Sequence, residues 1–164
     1  MKKSLTVAVV AAVWLVGSTW AAGLADQVTI VDPYVRMAPP GARATGAFMV
    51  LKNAGDKAVA VVKADSAVAN ITELHNHIND NGVMRMRQVP EISVPAKGET
   101  ALKPGSYHVM LIDMKTPLKE NDHVMITLGF ADGSSKEVHA TVRMPNAGMS
   151  PGMPAGMDHS KMKH

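Results

Sequence analysis

The stretch Glu137-Val138-His139-Ala140-Thr141-Val142-Arg143 decides the fold class. Val138, Ala140 and Val142 fall on one face and Glu137, His139, Thr141 and Arg143 on the other, which is the period of a half-buried β-strand. Back toward the N-terminus, short apolar or alternating runs recur at residues 124–130, 107–114, 83–89, 70–75, 58–64, 47–52, 34–37 and 28–31. Turn residues separate them: Pro39-Pro40-Gly41, Asn53-Ala54-Gly55-Asp56, Asn79-Asp80-Asn81-Gly82, Pro104-Gly105 and Ala131-Asp132-Gly133. Short strands punctuated in this way predict an all-β sandwich or barrel. No window carries a long amphipathic helix.

Both ends of the chain read differently. Lys2 and Lys3 precede an apolar stretch over residues 5–16 and a polar exit at Gly17-Ser18-Thr19, the pattern of an export signal. Gly23-Leu24-Ala25 offers small residues at the third and first positions before a cut, with Asp26 following; Thr19-Trp20-Ala21 is the second candidate. The apolar run is short for a membrane span, no twin arginine is present, and a lipoprotein anchor requires a cysteine that this sequence lacks. The expectation is a soluble, Sec-exported, periplasmic protein with a signal peptide over residues 1–25. Residues 145–164 are interrupted by Pro145, Pro151, Pro154, Gly148, Gly152 and Gly156 and hold no Val, Leu, Ile or aromatic residue. Such a segment buries too little to offset its ordering entropy, and a disordered tail is expected.

Composition narrows the chemistry. The formal charge of +3 falls to +1 once Lys2 and Lys3 leave with the leader, so no nucleic-acid or membrane partner is inferred. Having no cysteine, the chain cannot exchange disulfides or build the thiolate site of a blue-copper protein. What it does have is seven histidines and, once Met1 is removed from thirteen, twelve methionines. Four of these stand in one spacing: His75, ten residues, Met86, twenty-one residues, then His108-Val109-Met110. A second group lies in the tail, where Met149, Met153 and Met157 recur every four residues before His159, Met162 and His164. Thioether and imidazole without thiolate favour copper, above all Cu(I).

Strand geometry makes a site from these residues. Positions i and i+2 share a face, so His108 and Met110 project together while Tyr107, Val109 and Leu111 face the core. His75 and His77 form a second pair on one face, and the Asn81-Gly82 turn can fold the Met86 strand back beside them. Against this stand plainer readings. Methionine fills irregular cores, the expected role of Met37, Met49, Met114 and Met125, and Met84 with Met86 fits an inward-facing pair. His123 and His139 are expected to be solvated, and Glu73, near His75, is more often a solvated surface acid. The tail methionines have no core to fill.

The segments Glu73-Leu74-His75, Gly82-Val83-Met84-Arg85-Met86 and Pro104-Gly105-Ser106-Tyr107-His108-Val109-Met110-Leu111 resemble the PCuAC family of periplasmic copper chaperones. The signature of that family is His, ten residues, Met, twenty-one residues, His-x-Met, satisfied here without a gap. The resemblance implies a cupredoxin-like β-sandwich and an exposed Cu(I) site made by His75, Met86, His108 and Met110. It also implies copper delivery to the Cu(A) centre of cytochrome c oxidase, with subunit II of that enzyme or a Sco-type thiol protein as partner. Some members carry a Met/His-rich extension that adds copper capacity, including for Cu(II), and the tail here is similar. The family often has methionine directly after the first histidine; here Asn76 stands there and His77 follows, an additional candidate ligand that would make the site more tolerant of Cu(II).

The chain is thus expected to divide into a leader (1–25), a cupredoxin-like copper-binding domain (26–144) and a copper-binding tail (145–164). The expected role is that of a carrier rather than an enzyme, since no second cluster of carboxylates or histidines forms an acid–base set. A copper-scavenging or tolerance protein without a dedicated acceptor is the alternative. Both tryptophans, Trp14 and Trp20, lie in the leader. The exported protein should therefore show tyrosine but no tryptophan absorbance and fluorescence, and an intact mass without the leader.

Overall fold

The computed structural model describes residues 23–145. Most of the leader, and all of the tail donors Met149, Met153, Met157, His159, Met162 and His164, lie outside the described residues. Ten strands follow a short helix: α1 Leu24–Gln27, β1 Val28–Arg36, β2 Ala44–Asn53, β3 Val59–Asp65, β4 Ala69–Asp80, β5 Val83–Gln88, β6 Ile92–Val94, β7 Glu99–Leu102, β8 His108–Met114, β9 His123–Phe130 and β10 Ser135–Arg143. Hydrogen-bonded neighbours run β5-β4-β8-β2-β1-β10-β9-β3-β6, with β7 paired to the second half of β2. The terminal strands of this path, β5 and β6, each pair with one neighbour, so the sheet is open. β1 and β10 are parallel and the other ladders antiparallel. The architecture is all-β and cupredoxin-like, as expected.

One core fills the wrapped sheet. Val138, Ala140 and Val142 of β10 lie in it beside Val124, Ile126, Leu128 and Phe130 of β9, and Met49 and Leu51 of β2. The opening alternation thus faces the way its period implies. Each fully buried Val, Leu, Ile or Phe contributes roughly 1.5–3 kcal/mol of hydrophobic stabilisation. Asn53, buried at the end of β2, is hydrogen-bonded on both sides of its amide: Nδ2 donates to the Lys57 and Pro95 carbonyls (2.8 and 3.1 Å) and Oδ1 accepts from Gly55 N (2.8 Å).

Several local expectations change. The runs at 28–31 and 34–37 are one strand, β1, with a bulge between Val31 and Tyr34 where Asp32 takes a φ of 49°. β6 and β7 are too short to show periodicity, although Ile92 and Val94 are fully buried. Met49 is core, and Met37 and Met114 pack against it, but Met125 is 47% exposed. The alternation of β9 gives the inward positions to Val124 and Ile126 and turns Met125 out. Leu24 N donates to Asp132 Oδ2 (2.7 Å), Ala25 N to Ser134 Oγ (3.0 Å), and Ala25 is buried.

The Asn81-Gly82 turn folds β5 back on β4, with Asp80 opposite Val83. Both turn residues have positive φ, 52° and 84°, the two-residue geometry that matches strand twist. β5 is exposed along its whole length, so this turn and one ladder hold it. Gly82→Val puts a β-branched residue in the left-handed region, at about 1–2 kcal/mol. Hydrogen exchange should show the β5 amides losing protection while those of β9 and β10 keep theirs.

Candidate metal centre

Three adjacent strands build the site on the face opposite the core. Across β4 and β8, His75 stands opposite His108 and Glu73 opposite Met110; across β4 and β5, His77 stands opposite Met86. The His108 ring centroid lies 5.8 Å from that of His75 and 5.3 Å from that of His77. A pocket of about 370 Å³ opens over this face, with His77, Met86, His108 and Met110 in its lining. His75 is not in that lining; it sits beside it, against His108. The four residues of the sequence motif therefore share one face, and His77 lies among them. Met84, two residues before Met86 and on the same face, stands opposite Asn79 nearer the hairpin turn and is 55% exposed. Met84 and Met86 are not an inward-facing pair, because the edge strand that carries them packs on no second layer.

The imidazoles are held in defined states. His108 is buried, and its Nδ1 lies 2.9 Å from the Ser106 carbonyl oxygen. A carbonyl only accepts, so Nδ1–H donates and Nε2 keeps its lone pair. Burial pushes the His108 ring below its ordinary value of 6.5, the Ser106 hydrogen bond opposes this, and His77, His75 and Arg36 add to the lowering. The ring is accordingly neutral at neutral pH, the form that ligates metal. His75 Nδ1 and His77 Nδ1 are buried without a hydrogen-bond partner. Unpaired buried polar atoms are costly, and two on one patch suit a ligand that accepts lone pairs. Among the described residues no three His, Asp or Glu side chains are placed to hold a metal ion. An ion bound here would need the thioethers as well.

A train of contacts unmarked in the sequence motif backs His108. Asp32 holds Arg143 through two hydrogen bonds (2.6 and 3.1 Å), Arg143 lies over the Tyr34 ring (5.0 Å), Tyr34 meets Phe48 (5.2 Å), and Phe48 meets His108 (6.0 Å). Phe48 is buried yet stands outside the main core. The sequence signals its outward register in β2, between inward Ala47 and Met49, but not its contact with His108. Gly46 makes room for it: a Cβ there would come within 2.9 Å of the Phe48 ring. Glu73 is part-buried rather than freely solvated, and its Oε2 lies 2.7 Å from His75 Nε2. His123 and His139 are exposed, as expected.

Fold and face together define a small β domain presenting a sulfur- and imidazole-lined pocket, the PCuAC type. The chain belongs to that type through the LpqE-like family (described as "Putative lipoprotein LpqE-like"), which matches residues 28–142. "Putative lipoprotein Lxx21020" of Leifsonia xyli subsp. xyli (strain CTCB07) is 34% identical over 120 residues, 73% of this chain and 71% of that protein. The solution structure of Cu(I)-DR1885 from Deinococcus radiodurans is 36% identical, with a TM-score of 0.59 over 71% of this chain and 78% of that one. The copper-bound PCuAC domain from PmoF2 gives a TM-score of 0.62 at 21% identity, over 77% of this chain and 97% of that one, and supports the fold. Among the described residues no helix is long and apolar enough to cross a membrane.

The depressed His108 value links stability to pH. The unfolded chain protonates this ring near 6.5, the folded one only at lower pH. Protonation therefore favours unfolding, and the contribution of neutral His108 is intact above about pH 6.5 and lost as pH falls below it. Urea unfolding of the copper-free protein should show stability declining from about pH 7 to about pH 5, with a shallower decline in His108→Gln.

Proposed function

We propose that this protein is an exported copper chaperone that binds Cu(I) through His75, Met86, His108 and Met110 and passes it to an acceptor. The observation that carries the reading is the β4–β8 register, which sets two imidazoles opposite each other beside Met110 and next to a strand bearing Met86. Neutral soft donors on an open pocket suit a monovalent soft ion and leave it reachable by a partner. His77, with its bare Nδ1, is the additional donor. Release proceeds by stepwise exchange of thioether for the partner's thiolate, which binds Cu(I) more strongly. The acceptor is the Cu(A) site of cytochrome c oxidase subunit II, or a Sco-type protein that serves it. The Cu(I) form of DR1885, 36% identical to this chain, supports copper as the cargo.

The tail extends this role. Arg143, at the end of β10, pairs with Arg36, and Met37 N donates to the Arg143 carbonyl oxygen (2.7 Å). Arg36 and Met37 line the pocket, so the chain leaves the domain at the pocket's rim. Met149 is six residues past Arg143 and within about 20 Å of it even fully extended. Met149, Met153, Met157 and Met162 collect Cu(I) there, and His159 and His164 hold Cu(II), raising the copper concentration at the domain. The anchoring of Leu24 and Ala25 by Asp132 and Ser134 favours a leader cut after Ala21 over one after Ala25, and the protein acts in the periplasm.

Cu(I) titration against a chromogenic chelator tests the domain site in a chain ending at residue 145. One Cu(I) should bind, and His108→Ala and Met110→Ala should each weaken it at least tenfold. Variants that bind as tightly as the parent, or loss of all binding with the tail, would overturn the reading.

A further inference from the structure

Glu73 has one side-chain hydrogen-bond partner among the described residues, and that partner is His75. Its Oε2 lies 2.7 Å from His75 Nε2, and the two side chains are 28% and 14% exposed. The residues stand two apart on β4, on one face, with Glu73 directly opposite Met110 and His75 directly opposite His108. A carboxylate only accepts, so Nε2 of His75 carries the proton and donates it. In a neutral ring Nδ1 then has the lone pair, and Nδ1 is the atom found buried with no partner. On the neighbouring strand the arrangement is reversed: His108 Nδ1–H donates to the Ser106 carbonyl oxygen and Nε2 is left bare. Each imidazole of the pair thus has one nitrogen fixed by an acceptor and the other left free.

We propose that Glu73 is a positioning residue of the metal site, fixing His75 as the Nε2–H tautomer so that it meets the ion through Nδ1, while His108 meets it through Nε2. This inference rests on the Cu(I) reading above. The same carboxylate answers a charge problem. Imidazoles and thioethers are neutral, so a bound Cu(I) keeps its full charge in a pocket already lined by Arg36. Glu73, one hydrogen bond behind a ligand, is the acidic group placed to offset it. Carboxylates that accept from the second nitrogen of a metal-bound imidazole orient the ring and raise its basicity, and losing one typically costs 10–100-fold in affinity.

The test uses the leaderless chain with its tail, so the readout must be specific to the domain. Long-range nitrogen–proton NMR of the copper-free protein reports which nitrogen of each histidine is protonated. Cu(I) titration followed through the His75 and His108 ring signals reports the domain site separately from His159 and His164. The parent should show His75 as Nε2–H and His108 as Nδ1–H. Glu73→Ala should lose the single His75 tautomer and weaken Cu(I) at these rings at least tenfold. Glu73→Gln, nearly isosteric and still able to accept through its carbonyl oxygen, should keep the tautomer and lose less affinity. A parent His75 protonated at Nδ1, or Glu73→Ala with unchanged tautomer and Cu(I) binding within twofold of the parent, would overturn the proposal. If Cu(I) moves neither ring in the parent, the chaperone reading falls first.

Discussion

The register between β4 and β8 is the constraint on which the rest depends. Leu74, Val109 and Leu111 point into the core, and the side-chain period of two then sends Glu73, His75, His108 and Met110 to the other face. A slip of one residue would bury charge and imidazole and expose the aliphatic set. The core thereby fixes the outer face: the hydrophobic effect sets which residues meet, although it acts on none of the donors themselves.

On that outer face the packing grades from firm to open. His108 is the firm end, buried against Phe48, which Tyr34, Arg143 and Asp32 support in turn. Met86 is the open end, 45% exposed on an edge strand held by one ladder and a tight turn. A carrier benefits from such an asymmetry. In the proposed carrier role, rigid imidazoles would preorganise part of the site, and Met86, on the loosely held strand, would be the donor most easily exchanged for a partner's sulfur.

Most of the fold was legible because β10 and β9 alternate clearly and turn residues mark the strand ends. Short strands β6 and β7 escaped because three or four residues do not establish a period, and the bulge in β1 hid a single strand as two. The four motif residues were singled out by their spacing and the family resemblance it carries, and the strand register brings them to one face. Their neighbours were not: Phe48 and Gly46 come from β2, about sixty positions before His108, and only the sheet order brings them together. Glu73 was seen but misjudged, since a strand acid is usually solvated and nothing in the sequence shows that His75 Nε2 lies within hydrogen-bonding distance. Met125 was misassigned for the opposite reason, composition having been weighed above the clear alternation of its own strand.

In the proposed site, sulfur and nitrogen from three strands converge on one monovalent ion. Copper K-edge X-ray absorption of the chain ending at residue 145, loaded with one Cu(I), tests this most directly. The first shell should contain both imidazole nitrogen and thioether sulfur, with the sulfur contribution reduced in Met110→Ala. A shell of nitrogen and oxygen alone, or a spectrum untouched by that substitution, would contradict it.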